Sequence, residues 1–590
     1  MITSLPGMRG LPSASLRTAA AAVSLAFALG GCRGTKSVDF PVSSPPSDSA
    51  GAHRGFAQSE TAMVRIDLTA DRREDEPLAR YLVGYNDDTL AVADAGSSCF
   101  TFLSQQPTLD GWARSDQFGG DWQRQEQLLV SPALVRRGVG ARHGDPWLAA
   151  WSSKNPDVPN IVLYVSVAQR GPGRLDGPFF LLLTRSLDNG KTFEDSFVLL
   201  GPQGAVPDGP KVAITGDGTT ALVVWNEFGF PGVPNRIVSN LDGVLTASGT
   251  GLIDPDAIAD PPDPSCSFRG AVAHPRVAAG RSTYYVAALV TYSCKNNTEF
   301  PQRLEVYRNP AIGIALGAPW QRILSAAPPP SLPVGFGVLN VQDAHGTPRF
   351  GTRIDRGSSL PSLAVGQAAD GEFVIVADLQ VQTGTLPDEA HREKVILFRL
   401  PKADTCDARH HRGDLDSCGS TVAGQEIDAL AKANDMETVA SRAGLWESKP
   451  AVFTGKVPDG TVDPRVGVIW YAQPYKGRIS VTDEMRARTI VEAAVSKDGG
   501  VTFAGPFNLT AARREDSDTP KDPGIGAFFH PCQILCSGYF GEYLSGVFQF
   551  ADTTPIDIVG TWGDSREGCT DQTSTTEHHH VWAGAVRPAN

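Results

Sequence analysis

The sequence predicts an all-β protein built from repeated antiparallel sheets, and two observations lead to this prediction. Glycine and proline account for 61 and 44 of the 590 residues, which implies many tight turns. Short apolar runs, typical of strands buried on both faces, recur along the chain. Beyond the N-terminal segment, no stretch approaches the ~18 apolar residues that a membrane-spanning helix needs. With 590 residues, the chain is long enough for several domains or for one large repeat fold.

A Val-rich strand occurs seven times and defines the repeat. The copies start at Tyr81, Trp147, Ala221, Tyr285, Phe373, Val466 and Asp557. Several copies follow a second predicted strand, as at residues 210–214, 274–278 and 361–365. The starts lie 64 to 93 residues apart, which is too long for solenoid repeats but suits propeller blades with insertions.

A ring of such units buries both faces of every sheet, which a single unit cannot do. The sequence therefore predicts a β-propeller of four-stranded antiparallel blades, with seven blades or with six and an extra sheet. A set of stacked sandwiches is the alternative.

The N-terminus has the features of an export signal. Residues 1–31 carry arginines and then an apolar run too short to cross a membrane. The sequence Leu29-Gly-Gly-Cys32 resembles the lipobox of bacterial lipoproteins, which implies cleavage before Cys32 and lipidation of its thiol. The resemblance also implies a membrane-anchored protein at the outer membrane or cell surface. Residues 32–62 are predicted to be the lipidated cysteine and a Ser/Pro-rich tether, and residues 63–590 to be the propeller.

Eight cysteines remain after Cys32, and an even number in an exported chain predicts disulfides. Closeness along the chain favours pairing Cys266 with Cys294 and Cys406 with Cys418. Many other pairings stay open, because connectivity does not follow from sequence alone.

Two other groups of residues invite a metal interpretation. Cys532 and Cys536 have no second pair of ligands at zinc-ribbon spacing, and His578 and His580 would supply only two ligands from one strand. The motifs that bind ATP or dinucleotides are absent from the sequence. We therefore expect neither a metal nor another cofactor.

An insertion at residues 402–447 separates the fifth and sixth units. Within it, residues 422–440 are rich in alanine and glutamate and carry apolar residues along one helical face, which predicts a short helix. The insertion could line one mouth of the propeller or pack on its outside.

Two segments share the pattern Ser-x-Asp-x-Gly-x-x-aromatic, and a third is a degenerate copy. Their defining residues are Ser186, Asp188, Gly190 and Phe193, then Ser496, Asp498, Gly500 and Phe503, and finally Ser115, Gln117, Gly119 and Trp122. The pattern resembles the Asp-box, or BNR repeat, of sialidases and related propellers. In such a turn the aspartate accepts backbone N–H groups, glycine supplies a positive φ and the aromatic ring packs beneath. We therefore expect these residues to hold hairpins rather than to catalyse.

The last unit contains the candidate catalytic residues. The segments around Glu542 and Tyr543 and around Asp564 and Arg566 resemble a Gly-acidic-Tyr strand followed by Trp-x-Asp-x-Arg in BNR-like propellers. Such a group could supply a Tyr/Glu pair and one arm of an arginine clamp for a substrate carboxylate. A buried ion pair that locks the closing blade is the structural alternative.

The resemblance to sialidases also implies an early arginine element. Its Arg-Ile-Pro sequence has two counterparts here, at Arg65 and Arg236, and both lack the proline.

The net charge of −13 argues against a nucleic-acid partner, because phosphate contacts need clustered lysine and arginine. The leading prediction is recognition of an extracellular glycan or protein at the propeller mouth. The alternative is an exo-acting glycoside hydrolase of sialidase type.

Overall fold

The chain folds into seven antiparallel sheets in a computed structural model. The structure describes residues 36–42, 58–68, 77–87, 108–116, 122–125, 127–170, 178–203, 207–227, 231–258, 266–294, 302–310, 314, 317, 319–326, 361–369, 371–382, 392–401, 425–426, 450–455, 463–472, 490–509, 544–549, 558–564 and 580–587.

Each sheet is one blade, and the strands of blades 1 to 6 follow one another along the chain. Blades 1 and 2 contain β2 (Gln58–Asp67), β3 (Ala79–Asp87), β4 (Asp110–Ser115) and β5 (Gln123–Arg124), then β6 (Ala141–Trp151), β7 (Ile161–Gln169), β8 (Phe179–Ser186) and β9 (Phe197–Gln203). Blades 3 and 4 contain β10 (Pro207–Ile214), β11 (Thr220–Glu227), β12 (Val233–Ser239), β13 (Thr246–Ala247) and β14 (Gly251–Ile253), then β15 (Cys266–Ala279), β16 (Thr283–Cys294), β17 (Gln302–Pro310) and β18 (Gln321–Ala326).

Blades 5 to 7 complete the set. Blades 5 and 6 contain β19 (Ser362–Ala368), β20 (Gly371–Gln382), β21 (Arg392–Pro401) and β22 (Gln425–Glu426), then β23 (Ala451–Thr454), β24 (Val466–Ala472), β25 (Ile490–Ser496) and β26 (Ala504–Asn508). Blade 7 contains β27 (Ser545–Phe548), β28 (Ile558–Asp564), β29 (His580–Arg587) and β1 (Lys36–Pro41).

The first strand of each blade lies at the centre of a ring. These innermost strands contact one another in the order β2, β6, β10, β15, β19, β23, β27, and β27 contacts β2 again. The protein is therefore a seven-bladed β-propeller, as the repeat predicted, and the six-bladed and sandwich alternatives are excluded. We call the face at which the innermost strands begin, as at Ala141, the upper face. The face at which they end, as at Trp151, is the lower face.

Alternation along each second strand explains why the blades pack so closely. In β16, Tyr284, Val286 and Ala288 join a core cluster with blade 3, whereas Tyr285 and Ala287 join a cluster with blade 5. All five are 0% exposed. Because successive side chains point to opposite faces of a strand, a run that is apolar at every position fits a sheet covered on both sides.

Strand β1 closes the ring, because it pairs with β29 from the other end of the chain. Its backbone register runs from Lys36 opposite Arg587 to Pro41 opposite Trp582. Val42 follows with an N–H that donates to Val581 O at 2.8 Å and a side chain that is 1% exposed. Both β1 and the start of β2 fall within residues 32–62, which we predicted to be a tether.

Helices are short and few in the described part of the chain. They are α1 (Pro132–Arg136), capped by the Ser131 hydroxyl, and α2 (Pro255–Ile258). Neither has the length or apolar character to cross a membrane. In the insertion, Gln425 and Glu426 form strand β22 where we predicted a helix, because they pair with β21. Residues 427–449 lie outside the described residues, as do Cys406 and Cys418.

The predicted partners Cys266 and Cys294 lie directly opposite each other in the register of β15 and β16. Directly opposite residues of an antiparallel pair have Cα atoms about 4.5 to 5.5 Å apart, within the range that a disulfide spans. The backbone is thus compatible with this pairing, and the disulfide itself stays a prediction.

The role of β1 can be tested by two N-terminal truncations. Removing residues 1–35 leaves β1 intact, so the melting temperature should stay that of the mature chain. Removing residues 1–42 exposes the edge of β29 and the contact surface of Val42, whose burial alone is worth about 1.5 to 3 kcal/mol. The longer truncation should melt at a clearly lower temperature, measured by circular dichroism. Equal melting temperatures would contradict the closure.

Candidate functional site

A β-bulge interrupts the innermost strand of four successive blades. In each, three steps along the innermost strand match two steps along the second strand, which leaves one extra residue. The bulges lie between Ser59 and Ala62, between Gly144 and Trp147, between Asp208 and Lys211, and between Ala273 and Arg276. Their alignment gives blades 1 to 4 a common irregular level around the channel.

Proline fits these bulges, because it has no N–H to give to a ladder. Pro146, Pro210 and Pro275 each occupy the second bulged position, and the regular ladder resumes at the next residue. The residues that follow are Trp147, Lys211 and Arg276, which therefore hold corresponding positions in blades 2, 3 and 4.

These three residues meet at the centre of the propeller. The Lys211 ammonium lies 4.7 Å from the centroid of the Trp147 ring, and the Arg276 guanidinium carbon lies 5.8 Å from it. Blades 2 and 4 are not neighbours, so the contact between Trp147 and Arg276 must pass along the inner side of blade 3. We call Trp147, Lys211 and Arg276 the channel cluster.

The channel cluster combines a partly exposed ring with two buried cations. Lys211 is 0% exposed and Arg276 6%, whereas the Trp147 side chain keeps part of its surface in contact with solvent. The Lys211 ammonium donates to the carbonyl oxygens of Gly209 and Pro210 at 3.1 and 3.2 Å. The bulge thus turns backbone acceptors toward the ammonium, which lowers the cost of burying it.

The bulge of blade 2 also carries a carboxylate beside the channel cluster. Asp145 has a φ of 54°, and its N–H donates to Asn86 Oδ1 at 2.9 Å. Its Oδ2 accepts the Gly209 N–H of blade 3 at 3.4 Å. Asp145 therefore bridges blades 1, 2 and 3 at the level of the cluster.

A buried ion pair fixes the chain just before this bulge. Arg142 Nη1 lies 2.8 Å from Asp110 Oδ2, which also accepts the Ser166 hydroxyl at 2.5 Å. Burial raises the pKa of Asp110 above its usual value, although the charge of Arg142 opposes that shift. The pair links blade 1 to blade 2, and removing one partner would leave the other charge buried.

The sequence-predicted catalytic residues fall largely outside the described residues. This applies to Glu542, Tyr543 and Arg566, whereas Asp564 is the last residue of β28 and lies opposite His580. Their catalytic role therefore stays a prediction. Cys32, Gln117 and Gly119 also lie outside the described residues, and within those that are described no three metal-ligand side chains converge.

The two counterparts of the arginine element connect neighbouring blades. Arg65 pairs with Asp67 at 2.9 Å and donates to Phe548 O of blade 7 at 2.6 Å. Arg236 donates to Leu199 O of blade 2 and to Thr250 Oγ1. These contacts give both arginines a role in joining blades.

A tyrosine–glutamate group occurs in blade 4, away from the channel. Glu305, which is 0% exposed, accepts the hydroxyls of Tyr292 and Tyr307, and Arg322 lies 3.3 Å from the same carboxylate. Burial and then the Glu305 charge raise the pKa of both phenols. All four side chains are at most 5% exposed, and a raised pKa keeps both phenols protonated, so the group is a buried hydrogen-bonded network within blade 4.

The Ser-x-Asp-x-Gly turns of blades 2 and 6 have the same hydrogen bonds. Asp188 Oδ1 accepts the Ser186 hydroxyl at 2.8 Å and the N–H groups of Lys191 and Thr192 at 3.0 and 2.9 Å. Asp498 does the same with Ser496, Val501 and Thr502 at 2.7, 3.1 and 2.9 Å. In both turns the glycine N–H donates to the serine hydroxyl oxygen.

Each turn also packs against the preceding blade and accepts a hydrogen bond from it. Gly190 has a φ of 70°, and a Cβ there would lie 2.6 Å from Leu82 of blade 1. The carbonyl before it, of Asn189, accepts Arg80 Nη1 of blade 1 at 2.8 Å. In blade 6, the Gly499 carbonyl likewise accepts Arg399 Nε of blade 5 at 2.6 Å. The turns thus join blades at the lower face.

The aromatic residues of the pattern pack beneath these turns. Phe193 meets the Trp112 ring edge-on at 4.9 Å, and Phe503 is 7% exposed in a cluster shared with blade 5. In the degenerate copy, Ser115 ends β4 and is buried, and Trp122 packs against a cluster shared by blades 1 and 7.

The charge of the turn aspartates makes a testable prediction about pH. Burial pushes the pKa of Asp188 and Asp498 upward, but hydrogen bonds from their threonines, serines and backbone outweigh it, so both pKa values lie below the usual 3.8. Because the pKa of each carboxyl is lower in the folded than in the unfolded protein, its charge stabilises the fold at a pH above the unfolded-state pKa. This contribution is lost as the pH falls through the lower pKa of the folded state.

We therefore expect Asp188→Ala to lower stability by roughly 1 to 3 kcal/mol at neutral pH, through lost hydrogen bonds. The difference in melting temperature from the wild-type protein should shrink below about pH 3.8. Asp157→Ala, at an exposed position of another lower-face turn, is the control and should have little effect at either pH. A difference that persisted unchanged at pH 3 would contradict the role of the carboxylate charge.

Comparisons with known proteins find likeness in structure alone. No family model and no curated protein matches the sequence. Trypanosoma rangeli sialidase aligns at 10% identity and a TM-score of 0.33, over 75% of this chain and 58% of the sialidase. An exo-1,5-α-L-arabinanase from a bovine ruminal metagenomic library aligns at 12% identity and a TM-score of 0.26, over 55% and 88% of the two chains. A Dyadobacter fermentans protein of unknown function aligns at 12% identity and a TM-score of 0.32, over 74% and 95%.

Proposed function

We propose that the propeller binds a glycan at its central channel, with Trp147 as the platform, and that a lipidated Cys32 anchors the protein to a membrane. The observation that carries the binding proposal is the channel cluster. It places a partly exposed indole ring at the centre of a ring of blades, where ligands of propellers have access from a face.

The chemistry of the channel cluster suits a sugar. The indole supplies a flat apolar surface for the C–H face of a pyranose ring, while sugar hydroxyls need both donors and acceptors. The buried charges of Lys211 and Arg276 lie beside the ring, and the Asp145 carboxylate lies two residues before it. A ligand with a carboxylate of its own would also be attracted by the positive charge of these two buried cations.

The bulges give this site its rigidity. Trp147, Lys211 and Arg276 stand on strands rather than on long loops, and each follows a proline that restricts the backbone. A site held by a rigid scaffold loses less conformational entropy when it binds. The three side chains are therefore placed before the ligand arrives.

The test compares two tryptophans of the same strand. Trp147→Ala removes the proposed platform, and Trp151→Ala removes an indole from the lower-face end of β6. Glycans that bind the wild-type protein would first be identified on a glycan array, and their affinities then measured by calorimetry.

Losing the buried contact of an indole costs about 1.5 to 3 kcal/mol, so Trp147→Ala should weaken binding by roughly 10- to 100-fold. Trp151→Ala should leave the affinity within about threefold of wild type, even if the protein melts earlier. Unchanged affinity in folded Trp147→Ala would contradict the proposal, as would a wild-type protein that binds no glycan. An aryl sialoside assay on the wild-type protein tests the alternative hydrolase prediction.

A further inference from the structure

Very little chain separates the proposed lipid attachment from the folded propeller. Residues 33, 34 and 35 lie between Cys32 and Lys36, the first residue of β1. A fully extended chain spans at most ~3.3 to 3.6 Å per residue, so Lys36 can lie no more than about 14 Å from Cys32. The propeller is thus much closer to the anchor than a tether of residues 32–62 would place it.

Strand pairing shows at which face the chain enters the fold. Lys36 lies opposite Arg587, the last residue of β29, which is the third strand of blade 7. Third strands end at the lower face, as β8 does at Ser186, where the Ser-x-Asp-x-Gly turn begins. Lys36 therefore lies at the lower face, on the outermost strand of its blade.

We infer that the anchored propeller faces the membrane with its lower face, so that the upper face, at which the innermost strands begin, points away from the lipid. This inference rests on the proposed lipidation of Cys32. Strand β1 rises by about 3.3 Å per residue and so covers roughly 17 Å of blade height. If the upper face lay on the bilayer, Lys36 would be at least that far from the lipid, which exceeds the reach of about 14 Å between Cys32 and Lys36.

This orientation has a consequence for the channel cluster. The upper face would point away from the membrane and be accessible to ligands. The lower-face turns, including those of Asp188 and Asp498, would lie near the lipid headgroups.

The experiment measures which face lies near the lipid. A dansyl-bearing amino acid replaces Val501, which is 43% exposed in a lower-face turn, or Val135, which is 58% exposed in α1 on the connection that leads to the start of β6 at the upper face. The full-length lipidated proteins are reconstituted into vesicles of phosphatidylethanolamine and phosphatidylglycerol, with or without a lipid that carries a nitroxide on its headgroup.

The nitroxide should quench the probe at residue 501 at least twofold more than the probe at residue 135. Equal quenching, or stronger quenching at residue 135, in vesicle-bound protein would overturn the proposed orientation. A 20-residue Gly/Ser spacer inserted after Gly34 should keep the protein on vesicles and abolish the difference. If the difference persisted with the spacer, the short connection would not be its cause and the inference would be wrong.

A separate control distinguishes failure of the anchor from failure of the orientation. A protein that begins at residue 32 and carries Cys32→Ser, which lacks both the lipid and the apolar run of residues 1–31, should be released from vesicles and lose quenching at both positions. If this variant stayed bound as well as wild type, the lipid anchor itself would be wrong, whatever the quenching at residues 501 and 135 showed.

Discussion

The backbone pairing between β1 and β29 joins the two ends of the chain in one blade. The other blades are built from consecutive strands, so this pair closes the ring through the backbone, and contacts between β2 and β27 support the closure. A ring of sheets has no exposed central edge, and each blade is covered by two neighbours only while the ring stays closed. The apolar second strands, the arginines that cross between blades and the channel cluster all depend on that closure.

Blades 1 to 4 share a feature that turns this scaffold into a site. A bulge at the same level of each innermost strand shifts the residue that follows it, and in blades 2, 3 and 4 those residues form the channel cluster. The Ser-x-Asp-x-Gly turns have a structural role at the lower face, where Arg80 and Arg399 donate hydrogen bonds that join them to the preceding blade. The fold thus separates the inter-blade contacts of the lower-face turns from the channel cluster on the innermost strands.

The sequence was sufficient to predict the architecture, because the repeat of Val-rich strands can be recognised without knowing which strands pair. It did not reveal β1, since six residues beside a Ser/Pro-rich segment carry no local sign of a partner more than 500 positions away. The channel cluster was also missed. Its members lie 64 and 65 residues apart and meet only in the closed ring, although each follows a proline at the same place in its repeat. That shared position was the available signal. The predicted helix near residue 425 gave way to pairing with β21, because tertiary pairing overrides local propensity.

The closure of the ring is the claim on which the rest depends, and amide hydrogen exchange tests it directly. In the full-length protein, mass spectrometry of peptides that cover residues 36–41 and 580–587 would compare the two strands of the closing pair. If β1 pairs with β29, amides of both peptides that lie in the ladder should exchange slowly and on a common timescale. If residues 36–41 exchanged at the rate of an unstructured tether while residues 580–587 stayed protected, the closure described here would be contradicted.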